Sequence, residues 1–257
     1  MPQEKRRVVV TGLGAFTPVG KNAETTYGTL LRGENGIHPI TSFDTSGFAS
    51  TIAAEIDFDP LDHFDRREVR HLDRMALVGI IACKESFEHA GLAGEPENVR
   101  QRIAVIMGVG GVGFHSIEHE IAVLNAKGEH GVSPFALLKF QPESFTGEFC
   151  RRFGLRGLNC TVNSACSSGL DALVSAYEKI LLGKADIVIT GGAGAEVTPL
   201  GLSTFGRMRA LSTNNDDPSH ASRPFSKERD GFVLGEGEVA MIALAECQGL
   251  YWFCTRI

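Results

Sequence analysis

Apolar and polar positions along the chain follow two alternating rhythms. The run "RRVVVTGLG" (6–14) is short, continuous and β-branched, the pattern of a buried strand. The segment "ETTYGTLLRGENG" (24–36) follows as a helix closed by Gly33 and Gly36. From Asp73, "DRMALVGIIACKESFEHAGL" places Met75, Val78, Ile81, Ala82 and Phe87 near one helical face, with Gly91 as the stop. "QRIAVIMGVGGVG" (101–113) predicts a second strand running into a glycine turn, and "LNCTVNSA" (158–165) a third. A helix is expected over 167–183, its apolar face formed by Leu170, Leu173, Val174, Tyr177 and Leu181. "ADIVITGGAG" (185–194) and "GEVAMIALAE" (237–246) complete five strands. Apolar strands interleaved with helices imply an α/β layered fold whose sheet is covered on both faces. The polar stretch 214–237 is the one long loop, and loops of that length commonly carry function.

Composition narrows the function classes. The chain has 257 residues, 43% hydrophobic and 22% charged, which is globular composition with material for one large domain or two small ones. A net charge of -6 argues against non-specific nucleic-acid binding. No apolar run approaches the ~18 residues that cross a bilayer. The opening "MPQEKRRVVVTG" lacks the apolar core and cleavage site of a signal peptide. Cys83, Cys150, Cys160, Cys166, Cys247 and Cys254 form no C-x-x-C pair and read as reduced thiols. The expectation is a cytoplasmic protein with neither nucleic acid nor membrane as partner.

Chemistry concentrates in "VNSACSSGLDAL" (162–173), where Cys166 lies between small residues at a strand-to-helix change. The free N–H groups of a helix start favour a thiolate, and small neighbours let a substrate carbonyl approach the backbone. The N–H of Cys166 is a candidate oxyanion donor. The local pattern by itself is also that of a buried structural thiol at a crowded turn, which is what most cysteines are. Two further motifs are weak. "GVGGVG" (108–113) fits a dinucleotide-binding turn but lacks the acidic residue about twenty positions on in a strand context. "HSIEH" (115–119) fits a zinc-protease pattern without a third ligand.

The segment "TVNSACSSGLDAL" resembles the active-site segment of β-ketoacyl-[acyl carrier protein] synthases, the condensing enzymes of fatty-acid and polyketide synthesis. "VVVTGLGAFTPVG", "ITSFDTSGFASTIAAEIDFDP" and "TPLGLSTFGRMRALSTNNDDPSHASRPFSKERDGFVLGEG" resemble further segments of that family, in order, from about Arg7 to Glu246. The resemblance implies a thiolase-like layered fold, with 1–246 the first, N-terminal half of a duplicated α-β-α-β-α architecture. It implies Cys166 as the acyl-accepting nucleophile, a homodimer in which the strand at 158–163 pairs across the two-fold, and no cofactor or metal. Gly111 and Phe205 match positions at the family's acyl pocket. A gapless match puts Gly111 there, leaving room for a longer chain, whereas a slip of two puts Val109 there. Phe205 reads first as a core residue. Arg67, Arg70 and Arg209 match residues that face the acidic acyl carrier protein, which brings acyl and malonyl groups on phosphopantetheine.

Two features depart from the family. Its decarboxylation histidines, in motifs beginning "HGTST" and "GH", have no counterpart among His38, His63, His71, His89, His115, His119, His130 and His220. The tail "CQGLYWFCTRI" (247–257) breaks from the expected acidic continuation and holds the sole tryptophan, Trp252. The expectation is therefore a truncated chain that accepts an acyl group but condenses poorly alone. The alternative is a non-catalytic subunit that docks carrier or pairs with a full-length synthase. "SGLDAL" and "NNDDPSHASRPF" lean to polyketide enzymes, "RALSTNN" and "GGAGAEVTPLGL" to fatty-acid elongation, and the pathway stays open.

Overall fold

Each apolar run becomes a strand, and each periodic stretch a helix. A computed structural model describes residues 6–246, with side chains to Leu244. The off-pattern tail, with Cys247, Trp252 and Cys254, lies outside the described residues. In chain order the elements are β1 (Arg7–Phe16), α1 (Ala23–Leu31), β2 (His38–Pro39), β3 (Ile52–Ala53), α2 (Arg66–His71), α3 (Arg74–His89), α4 (Glu97–Arg100) and β4 (Ala104–Val109). There follow α5 (Phe114–Lys127), α6 (Ala136–Phe140), α7 (Glu143–Phe153), β5 (Asn159–Val162), α8 (Ser168–Leu181), β6 (Ile187–Ala195), α9 (Pro199–Arg207) and β7 (Glu236–Glu246). No helix among the described residues is long and apolar enough to cross a membrane.

Five strands form one sheet in the order β1-β7-β6-β4-β5. β4 runs parallel to both β5 and β6, whereas β7 is antiparallel to β6 and β1. β1 continues past the expected Gly14 to Phe16 because its ladder with β7 runs on to Phe16 opposite Glu238. β5 is an edge strand, paired among the described residues only with β4. β2 and β3 form a separate two-stranded ribbon.

Helices α3 and α7 cover one face, where Met75, Ile80, Phe87, Phe145 and Phe149 are buried against Val105, Met107 and Ile242. Asp73 caps α3 by accepting from the Met75 N–H at 3.0 Å, and Gly91 ends that region in the left-handed conformation at φ 73°. Helix α8 covers the other face and corrects the sequence reading. Its buried side is Ala172, Ala176 and Ile180, packed on Ala104, Ile106, Val188 and Ala243. The bulky side points outward, with Leu170 64%, Val174 48% and Tyr177 51% exposed. The helix's polar residues, Asp171, Ser175, Glu178 and Lys179, lie on one side, and size sorts the wide apolar arc that remains: alanines at one edge of that arc let the axis lie close to the sheet. Val10 and Val239 are also about half exposed, so the sheet is only partly covered there.

One buried group is out of keeping with this core. Glu238 alternates along β7 with Ala240 and Ile242, so its side chain faces the α3 layer, beside Cys83. It is buried, and neither carboxylate oxygen has a hydrogen-bond partner. Burial therefore pushes its carboxyl well above the ordinary range and keeps it neutral. The sign of the linkage follows. The neutral acid's contribution to stability is complete below the ordinary carboxylate range and is lost as pH climbs toward the raised folded value. We expect wild-type stability to fall across that window by up to about 1.4 kcal/mol per pH unit from this group, and Glu238→Gln to flatten the fall. Denaturant unfolding of both proteins between pH 5 and pH 8 checks this; equal slopes would contradict it.

Candidate active site

The turn joining β5 to α8 carries Cys166. The strand ends at Val162, not at the expected Ala165, because Asn163 and Ser164 are drawn into turn hydrogen bonds. Ala165 takes φ 55°, a left-handed conformation uncommon for a residue with a side chain. Cys166 thus stands two residues before the start of α8 and is exposed. The other described cysteines differ: Cys83 is buried, and Cys150 and Cys160 are partly buried. Burial pushes the Cys83 thiol well up, that of Cys150 up to about 11, and that of Cys160 up more modestly. Among the described cysteines, Cys166 is the exposed one.

The turn is held by its own serines. Ser168, buried, accepts from the Ser164 N–H at 3.0 Å and donates to the Ala165 carbonyl at 2.6 Å. Ser167 donates to the Ser164 carbonyl at 3.1 Å and to Asp171 at 3.2 Å, and Ser164 also donates to Asp171. Asp171 therefore ties the residues on both sides of Cys166. The sequence reading passed over it; the signal was the spacing of Ser167 and Asp171, four apart on one helical face.

The glycines of "GVGGVG" explain how the turn reaches the sheet. A Cβ on Gly108 would stand 2.2 Å from the Ser168 backbone, and one on Gly110 would stand 3.0 Å from the Ala165 carbonyl. These glycines serve close approach of strand and turn. The residue near the acidic position of a dinucleotide site, Glu129, lies in a 3₁₀ turn. "HSIEH" lies on α5, and no group of His, Cys, Asp or Glu among the described residues is arranged to hold a metal ion.

The remaining predicted residues are spread around this centre. Gly111 follows β4, and the space beside it holds the carboxylate of Glu196 and the ring of Phe114. Phe205, on α9, is half-buried against the cluster of Ile40, Val197 and Leu202, its ring 5.4 Å from that of Phe232. Arg67 and Arg70 are exposed on α2, which Asp65 and Glu68 close with a capping box. Arg209 is exposed just beyond α9, at φ 56°.

A polar cluster that sequence reasoning missed lies beneath Glu196. Arg74 grips Glu236 with two hydrogen bonds of 2.8 Å, and its guanidinium lies 4.9 Å from the Phe58 ring centroid. Asp73 accepts from the Ser116 N–H at 2.9 Å, joining the starts of α3 and α5. His115 Nε2 is 3.5 Å from Glu236. Burial opposes charge on Glu236, but His115 and Arg74 outweigh it and hold the carboxyl down to about 2. Burial, with Glu236 and Asp73 nearby, pushes Glu196 the other way, to about 7. In the sequence, Asp73 was marked only as a helix start and His115 only within the zinc-protease pattern.

A parallel-centred sheet between helices, with an exposed cysteine at a glycine-backed turn, is the arrangement of thiolase-like condensing enzymes. The chain belongs to the β-ketoacyl synthase family, whose N-terminal domain it matches over residues 5–248. It is 40% identical over 241 residues to a 3-oxoacyl-[acyl-carrier-protein] synthase 2 from Synechocystis sp., covering 93% of this chain and 58% of the relative. A β-ketoacyl synthase from Burkholderia phymatum superimposes with a TM-score of 0.83 at 27% identity, over 95% of this chain and 60% of that one. A type II polyketide ketosynthase, solved with its acyl-carrier protein and bound to the hexaketide, gives a TM-score of 0.79 at 26% identity, over 94% and 59%. The chain thus spans less than two thirds of the length of each.

The glycine contacts give a paired expectation. Gly108→Ala drives a methyl group into the backbone at the start of α8 and should cost about 1–3 kcal/mol or more. Gly169→Ala meets nothing closer than 3.6 Å and should be neutral or slightly stabilising, as an alanine in a helix. Chemical denaturation of the two variants checks the contrast; comparable losses would contradict it.

Proposed function

We propose that Cys166 accepts an acyl chain from a thioester carried by an acyl carrier protein, the first half-reaction of a β-ketoacyl synthase. The observation that carries this is the exposed thiol at a turn held by Ser168, Asp171 and the β4 glycines. In the proposed step the Cys166 sulfur, as thiolate, attacks the thioester carbonyl. The resulting tetrahedral intermediate expels the carrier's thiolate, which takes up the proton that Cys166 released, and the acyl group stays on sulfur. The Cys166 N–H is the proposed donor to the oxyanion. The small residues around the sulfur leave the carbonyl a path to it.

The carrier reading rests on family membership, on the neighbour solved with its carrier, and on the exposed arginines of α2. Arg67, Arg70 and Arg209 are the proposed docking residues. Arginines steer and orient an acidic partner through charge-assisted hydrogen bonds, at the modest energy of exposed pairs. We also propose that β5, with its open edge, pairs with β5 of a second copy to form a homodimer. Gly111 and Phe205 are proposed to line the acyl site.

Incubating the protein with an acyl carrier thioester should add one acyl group, removable by hydroxylamine, to the peptide containing Cys166. Cys166→Ala should abolish it, and mass spectrometry of the digested protein reads the outcome. A wild-type protein that gains no acyl group, or a Cys166→Ala variant that gains as much, would overturn the reading. Separately, Arg67→Glu with Arg70→Glu should weaken carrier binding about tenfold or more at low salt, with the effect shrinking as salt rises. Unchanged binding by titration calorimetry would dispose of the docking role.

A further inference from the structure

The space that Gly111 leaves open is filled from another element. A Cβ there would stand 2.7 Å from Glu196 Oε1 and 3.4 Å from the Phe114 ring. On the neighbouring strand, a Cβ on Gly194 would stand 2.8 Å from Glu196 Oε2. The carboxylate therefore straddles two glycines at the ends of β4 and β6, one residue along from Gly110, which abuts the Ala165 carbonyl of the Cys166 turn.

Glu196 is not free to swing away as a whole. It stands at the junction of β6 and α9, where its carbonyl accepts from the Thr198 N–H at 2.8 Å. Gly201 of α9 abuts that same carbonyl so closely that its Cβ would lie 2.1 Å from it. Glu236, Asp73 and His115 face it from β7, from the start of α3 and from α5. A polar group thus stands near the acyl-accepting turn, in the space that two glycines leave, on a backbone that is itself pinned.

We propose that Glu196 is a specificity-determining residue that shortens the acyl site at Gly111, so that Cys166 takes short acyl chains and disfavours long saturated ones. The proposal rests on Cys166 as the acyl acceptor and on Gly111 as part of its acyl site. A long saturated chain passing Gly111 must either displace the carboxylate or bury methylenes against it, and burying a polar group against hydrocarbon without a hydrogen bond is unfavourable. A four-carbon chain has fewer methylenes to place there.

The test loads Cys166 from the N-acetylcysteamine thioesters of butyrate and dodecanoate, and reads the adduct by mass spectrometry. It uses the wild type, Glu196→Ala and the near-isosteric Glu196→Gln. The wild type should load butyryl faster than dodecanoyl. Glu196→Ala should raise the ratio of dodecanoyl to butyryl loading about tenfold or more, the gain expected from burying two further methylenes. Glu196→Gln, which keeps the bulk, should raise it less. If Glu196→Ala does not fold, a raised ratio in Glu196→Gln still supports the proposal, and an unchanged one overturns it. A ratio that is the same in the wild type and in folded Glu196→Ala, with Cys166 loaded in both, overturns this proposal alone. No Cys166 adduct from either thioester in any of the proteins overturns the acceptor reading and this proposal with it.

Discussion

The close approach of the start of α8 to β4 is the constraint on which the rest of the structure depends. At Gly108 there is no room for a single methyl group between strand and helix backbone. With the two in contact, the five residues from Asn163 to Ser167 must turn sharply. They do so at the cost of a positive φ at Ala165, a strain of the kind that persists only where surrounding contacts over-determine it. Ser168 and Asp171 supply those contacts, and Cys166 is left at the outer point of the turn.

The same constraint organises the layers. A helix drawn this close to a sheet presents its smallest residues inward, which is why Ala172 and Ala176 rather than Leu170 and Tyr177 touch the strands. On the opposite face the close approach falls at Gly12 and Gly14 of β1, which abut the α3 backbone, and phenylalanines of α3 and α7 fill the core beside it. The polar cluster of Asp73, Arg74, His115 and Glu236 then pins the starts of α3, α5 and β7 beside the glycine ends of β4 and β6. Glu196 is fixed at the margin of this cluster, with its carboxyl raised where that of Glu236 is depressed.

The sheet was legible in the sequence because buried strands read as β-branched runs whatever their neighbours. β4, β6 and β7 fell within a few residues of expectation. The orientation of α8 was not legible, since periodicity separates the apolar arc from the polar side of Asp171, Ser175, Glu178 and Lys179 but does not say which part of a wide apolar arc meets the sheet. The end of β5 was misplaced because the side chains of Asn163 and Ser168 compete for backbone groups that a strand would pair. At the site, the local signal marked Cys166 and its small neighbours. Arg74 and Glu236 lie 162 positions apart, and Glu196 meets Gly111 only through the tertiary fold. No spacing rule joins such pairs.

The central claim is that the glycine-backed turn presents Cys166 as the one acyl-accepting thiol. The most direct measurement is a crystal structure of the protein after exposure to a short acyl thioester. The account predicts continuous density from Cys166 Sγ into an acyl group, with Gly108 still packed on Ser168 and with Cys83, Cys150 and Cys160 unmodified. An unmodified Cys166, or an adduct on one of the other three, would contradict it.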